Sequence, residues 1–252
     1  MKIAITGKGG VGKTTLVASL ALLYSRQGYK VLAIDADPDA NLASGLGIAD
    51  TSSILAVSEL KDLILERTKA GPSGFFKLNP RVDDIPERFS IRKENIRLMV
   101  LGGIKKGGGG CICPENALLK ALVQHLIVYR KEWVILDMEA GIEHLGRGTA
   151  QSVDYLIIVV EPGKRSIETA YRIRKLAGDL NLNKVLIVAN KIRTPRDKEL
   201  LQSALHEFRI VGWLPYDDHV IEAEQENKPA YEIGGPFQDE IEEISKALLN
   251  VL

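Results

Sequence analysis

This chain of 252 residues predicts an α/β fold, a doubly wound and mostly parallel sheet with helices on both faces. Three observations carry that expectation. Apolar runs alternate along the chain with amphipathic stretches of helical length. The runs are continuously hydrophobic, so strands built from them are buried on both faces, the mark of a parallel sheet. No repeat and no stretch of linker composition divides the chain, so a single domain over 1–252 is expected.

Taken in order, the first strand is the run Lys2-Ile3-Ala4-Ile5-Thr6, which ends in glycines and leads into a helix over 14–27. Further strands are expected over 30–35, 96–102, 133–139, 155–161, 184–191 and 210–214. The helices between and after them fall at 54–68, 114–130, 166–180, 195–208 and 237–252. In the last of these, Phe237, Ile241, Ile244 and Leu248 recur at helical spacing. Its polar face sets Asp239, Glu240, Glu242 and Glu243 against Lys246, the wrong sign for anionic lipid, so this helix should pack on the protein's own core. Residues 71–95 hold three prolines and many charges and read as an insertion or surface excursion without an assigned element.

The turn after the first strand carries the chemistry. Gly7-x-x-x-x-Gly12-Lys13-Thr14 has the phosphate-loop spacing. Its glycines let successive N–H groups, those of Gly9, Gly10, Val11 and Gly12, converge on phosphate oxygens at a helix N-terminus. Lys13 then reaches the outer phosphates, Thr14 offers its hydroxyl to Mg²⁺, and Thr15 helps hold the α-phosphate. A P-loop NTPase domain follows. The run Trp133 to Asp137 is a hydrophobic strand ending in an acid, the Walker B pattern, so Asp137 is expected to hold Mg²⁺ through water. Gly141 can offer its N–H to the γ-phosphate.

Composition narrows the rest. Lys plus Arg and Asp plus Glu number 33 each, so no overall field draws the chain to nucleic acid or to a membrane surface. No apolar run approaches the roughly 20 residues of a membrane span, and no signal-peptide pattern opens the chain. A cytoplasmic protein is expected. Both cysteines lie in Cys111-Ile112-Cys113, which cannot staple distant parts of a fold. Two soft ligands after Gly107 to Gly110 and just before a helix read as a metal loop, because thiolates select zinc, nickel, copper(I) or iron–sulfur clusters. Soft sites commonly take four protein ligands, and a two-fold dimer would bring two cysteine pairs together.

The segment Gly7-Lys8-Gly9-Gly10-Val11-Gly12-Lys13-Thr14 resembles the deviant Walker A motif of the MinD, ParA and nitrogenase iron-protein group of dimeric ATPases. The resemblance implies ATP and ADP as ligands, and a Lys8 that crosses the dimer interface to the partner's nucleotide. It implies that Asp37, in Asp35-Ala36-Asp37-Pro38, orients the attacking water in the first switch. It also implies that Asn190-Lys191 reads adenine and that the 212–217 stretch, with Pro215, flanks the base. With Gly110-Cys111-Ile112-Cys113-Pro114-Glu115, the chain is most similar to CooC-type nickel-insertion ATPases. That implies a homodimer holding nickel, or zinc, at Cys111 and Cys113, with carbon monoxide dehydrogenase, acetyl-CoA synthase or a related nickel enzyme as client. An iron–sulfur-carrying ATPase or scaffold, and a MinD- or ParA-like positioning ATPase, are the alternatives. Neither a membrane nor nucleic acid is expected as partner.

Overall fold

The computed structural model describes residues 1–51, 54–69, 76–102, 113–142, 145 and 147–250. The elements run β1 (Lys2–Gly7), α1 (Lys13–Arg26), β2 (Val31–Ala36), α2 (Leu42–Gly45), α3 (Lys61–Thr68), α4 (Ile85–Phe89), β3 (Ile91–Lys93), β4 (Ile96–Val100) and α5 (Pro114–Val128). They continue with β5 (Trp133–Met138), α6 (Arg147–Ala150), β6 (Tyr155–Val160), α7 (Lys164–Asp179), β7 (Val185–Ile192), α8 (Pro195–Ala204), β8 (Arg209–Pro215), α9 (Asp218–Gln225) and α10 (Gly235–Leu249).

The eight strands form one sheet in the order β3-β4-β2-β5-β1-β6-β7-β8. Every neighbouring pair is parallel except β3 with β4 at the edge. Side chains alternate between the faces, and both faces are covered. Ala4, Leu32, Ile34, Val134, Leu136 and Leu156 point into a core closed by α5 and α7. Ile3, Ile5, Val31, Ala33, Ile135 and Ile157 point into a second core closed by α1 and α10. All six residues of β2, β5 and β6 are buried, and apart from Asp35 and Asp137 all of them are apolar. Each fully buried aliphatic side chain contributes about 1.5–3 kcal/mol.

The expected strands and helices are present to within a few residues at most ends. Three segments differ. The helix expected over 54–68 is a single turn at Val57–Glu59 followed by α3, with Leu60 between them in a non-helical conformation (φ −78°, ψ 71°). There the Ser58 amide donates to the Leu101 carbonyl at 3.0 Å, so the segment is tied to the end of β4 instead of continuing as helix. Within 71–95 lie α4 and β3, the latter turned into β4 through Glu94 at φ 52°. Arg67 grips Asp84 with two bonds, at 2.9 and 2.8 Å, and pins this excursion to α3. Finally, the base-flanking stretch at 212–217 is the end of β8 running into α9, which starts at an Asp217 cap accepting the His219 amide at 3.0 Å.

Helix α10 buries Phe237, Ile241, Ile244 and Leu248 against the second core, as the sequence indicates. Among the described residues no helix is long and apolar enough to cross a membrane.

Candidate active site

The carboxyl ends of β1, β2 and β5 converge on one crevice, the place where open parallel sheets bind ligands. After β1 the chain turns through the glycines into α1, whose cap is Gly12 at φ 93°. That left-handed conformation favours glycine, and a side chain there would also strike Asn190 Nδ2 at 2.3 Å. A Cβ at Gly9 or Gly10 would meet nothing within 4 Å, so the loop faces open space suited to phosphate oxygens. The space is a cavity of about 440 Å³ that runs from this loop and Asp37 to Asn190, Pro215, Val220 and Phe237. Gly9, Gly10, Gly12, Lys13, Thr14, Thr15 and Lys191 also line it.

Lys13 is nearly buried and lies 3.8 Å from Asp37 Oδ2, so the loop lysine and the first-switch acid meet across the cavity. Thr14 Oγ1 donates to Asp137 Oδ2 at 2.6 Å. Asp137 is fully buried, and its other oxygen, Oδ1, has no hydrogen-bond partner among the described residues. Burial pushes its carboxyl up to about 7, with the Thr14 hydroxyl pulling the other way and Asp35 adding repulsion. Asp35 stands beside it in register on β2, is also fully buried, and is pushed up to about 6 by burial against two backbone N–H bonds. The orphaned oxygen of buried Asp137, beside the Thr14 hydroxyl, gives a donor set that fits Mg²⁺. Thr14 and Asp137 are the residues that would hold it.

The remaining sequence-derived residues fall at the same site in unexpected arrangements. Asn190 is nearly buried. Its Nδ2 donates to the Val11 carbonyl at 2.8 Å, and its Oδ1 accepts the Lys191 amide at 2.8 Å. Lys191, at φ 59°, donates from Nζ to the Gly10 carbonyl at 2.6 Å. The Asn-Lys pair is therefore bonded to the phosphate loop. Lys8 Nζ lies 3.0 Å from Glu161 Oε1 at the end of β6, and Lys191 Nζ lies 3.6 Å from the other oxygen of the same carboxylate. The Gly141 amide donates to Glu139 O at 2.7 Å and to Thr6 Oγ1 at 3.2 Å.

Cys111 lies outside the described residues. Cys113 is a free thiol capping α5, and its Sγ accepts the Asn116 amide at 3.5 Å. Among the described residues no group of three or more metal-binding side chains is gathered.

Sequence reasoning missed Asp35 and Glu161. Asp35 is the first acid of Asp-x-Asp at the end of a buried run, where an acid needs a structural or chemical reason. Glu161 follows an apolar strand, yet only the pairing of β6 with β1 brings it beside the phosphate loop.

Fold and site together define a P-loop ATPase. The match is to the CobQ/CobB/MinD/ParA nucleotide binding domain over residues 2–230, and the chain belongs to that family. It is 45% identical to the carbon monoxide dehydrogenase accessory protein CooC of Rhodospirillum rubrum, covering 99% of this chain and 96% of that protein. It is 46% identical to an uncharacterized ATP-binding protein of Methanocaldococcus jannaschii, covering 91% of this chain and 90% of that one. Among solved structures, the MinC:MinD cell division complex of Aquifex aeolicus superposes with a TM-score of 0.73 at 20% identity, over 99% of this chain and 96% of that chain. That last likeness concerns the fold.

Proposed function

We propose that this protein is a homodimeric ATPase that carries nickel between the Cys111 and Cys113 thiols of two protomers and assists its insertion into carbon monoxide dehydrogenase or a related nickel enzyme. The observation that carries this reading is the 45% identity, end to end, with a carbon monoxide dehydrogenase accessory protein. The Cys111-Ile112-Cys113 pair of the sequence supplies the chemistry that cargo needs.

In this reading the amides of Gly9 to Gly12 bind phosphate oxygens, and Lys13 neutralises charge on the transferred group. Mg²⁺, when bound at Thr14 and Asp137, supplies charge neutralisation across the phosphates. Asp37, which lies 3.8 Å from Lys13 in the cavity, holds the attacking water. Lys8 leaves Glu161 to reach the partner's nucleotide, and Gly141 exchanges its bond to Thr6 for one to the γ-phosphate. Pro215 and Asn190 border the base. Hydrolysis relaxes both switches and releases the dimer's hold on the metal.

The test measures molecular mass by light scattering and bound metal by elemental analysis, with nickel and ADP or ATP, on the wild type and a Cys111→Ser, Cys113→Ser double variant. A single nickel shared by two chains and lost with the cysteines is the expected result. Dimers that form without metal, with no cysteine-dependent uptake, overturn the cargo reading and leave a nucleotide switch. Lys8→Ala should abolish hydrolysis while metal binding persists, and unchanged turnover would remove its role across the interface.

A further inference from the structure

Asp35 is a fully buried acid at the crevice whose two oxygens are both already bonded, unlike those of Asp137. Its carboxylate is spent on the first switch. Oδ1 accepts the Asp37 amide at 3.1 Å and Oδ2 accepts the Leu42 amide at 2.9 Å, so both ends of the 37–42 segment are fastened to one side chain. Between the anchors Ala40 is held at φ 47°, a conformation a non-glycine residue keeps only where its surroundings impose it. The Ala40 amide donates to Asp37 O at 3.1 Å and the Asp39 amide to Asp37 Oδ1 at 3.1 Å, which completes a tight loop. Asp35 itself cannot drift, because β2 is paired on both sides, and its carbonyl accepts the Leu101 amide at 2.8 Å.

We infer that Asp35 is a positioning residue for hydrolysis, clasping the two ends of the first-switch loop so that the Asp37 carboxylate is held opposite Lys13. This rests on the reading of Asp37 as the water-holding acid. Asp35 does not touch nucleotide, so its effect reaches the reaction through Asp37.

The experiment is a double-mutant cycle on steady-state ATPase of the full chain, with Asp35→Asn, Asp37→Ala and the pair. Asp35→Asn keeps the shape but presents an NH₂ to one of the two amides, so one end of the loop comes free. The expected result is a fall in kcat of roughly 10- to 100-fold, as for an ångström-scale misplacement, with the KM for ATP within about twofold. In the Asp37→Ala background the same substitution should change nothing further. Losses that multiply show Asp35 acting independently and overturn the inference. A raised KM with kcat unchanged marks a merely structural residue and overturns it as well. If Asp37→Ala alone leaves kcat intact, the reading of Asp37 fails, and that result is distinct because it appears without any change at Asp35. Should Asp35→Asn not fold, amide exchange in the wild type decides: the Asp37 and Leu42 amides should exchange at least about tenfold slower than in an unfolded chain of the same sequence, and rates equal to it overturn the clasp.

Discussion

Replacing Asn190 with Ala separates two roles that one residue could serve at this site. The side chain is nearly buried, and its amide holds the Val11 carbonyl at 2.8 Å and the Lys191 amide at 2.8 Å. Truncation strands the buried Val11 carbonyl, a loss of about 1–3 kcal/mol, whereas the partly exposed Lys191 amide can turn to water. Taking about 2 kcal/mol as the cost of an unbraced loop, and tenfold per roughly 1.4 kcal/mol, affinity should fall by up to about 30-fold. With the loop binding phosphates as proposed, the same factor should apply to ADP, GDP and inorganic pyrophosphate alike. Titration calorimetry of the three ligands at fixed Mg²⁺ reads it directly. A loss confined to ADP, with pyrophosphate binding unchanged, would refute the argument and make Asn190 a reader of the base edge.

Three further outcomes follow from the geometry. Thr14→Val removes the hydroxyl that bonds Asp137, and the Mg²⁺ concentration for half-maximal ATPase should rise roughly 10- to 100-fold, as measured by metal titration of turnover. Gly212→Ala would put a Cβ 2.1 Å from Ile244 Cγ1, so urea unfolding should report about 1–3 kcal/mol lost, and a second change, Ile244→Ala, should cost less in that background than in the wild type. Arg67 holds the Asp84 carboxyl down to about 2, below its unfolded value of about 3.9, so the pair stabilises the fold above that value and its contribution vanishes as pH falls from about 4 to about 2. Asp84→Asn should therefore lose about 1 kcal/mol at neutral pH, solvent screening included, and the gap to wild type in urea midpoints should close near pH 2.

Where one element dominates its own neighbourhood, the sequence declared it. Ile3 and Ile5 bury toward α1 while Ala4 buries toward α5, and a run that must be apolar on both faces is readable without a partner. The phosphate loop is readable for a similar reason, since its spacing is dictated by a local turn into α1. Ile91-Arg92-Lys93 offers no such signal: three residues at an edge, half exposed, are a strand only because β4 lies beside them. The break at Leu60 is also set from afar, by the Leu101 carbonyl. At the site, residue types were legible and their bonds were not. Asn190 and Lys191 line the crevice, but their ties to Val11 and Gly10 span 179 and 181 positions of sequence. No local pattern encodes pairings of that range.

The strand order also governs when the protein can come into being on the ribosome. β1 and β2 carry the phosphate loop and the first switch, yet they share no backbone bonds, because β5 lies between them. Until Trp133–Met138 has been synthesised, the N-terminal segment has a gap where β5 belongs, with the facing edges of β1 and β2 open to any other extended chain. Asp137 arrives on that same strand, so the piece that joins β1 to β2 also delivers the acid bonded to Thr14. Joining the two N-terminal strands and delivering the acid that bonds Thr14 are thus one event, while β6 to β8 cover the other edge of β1 later and bring Asn190, Lys191 and Pro215 to the crevice.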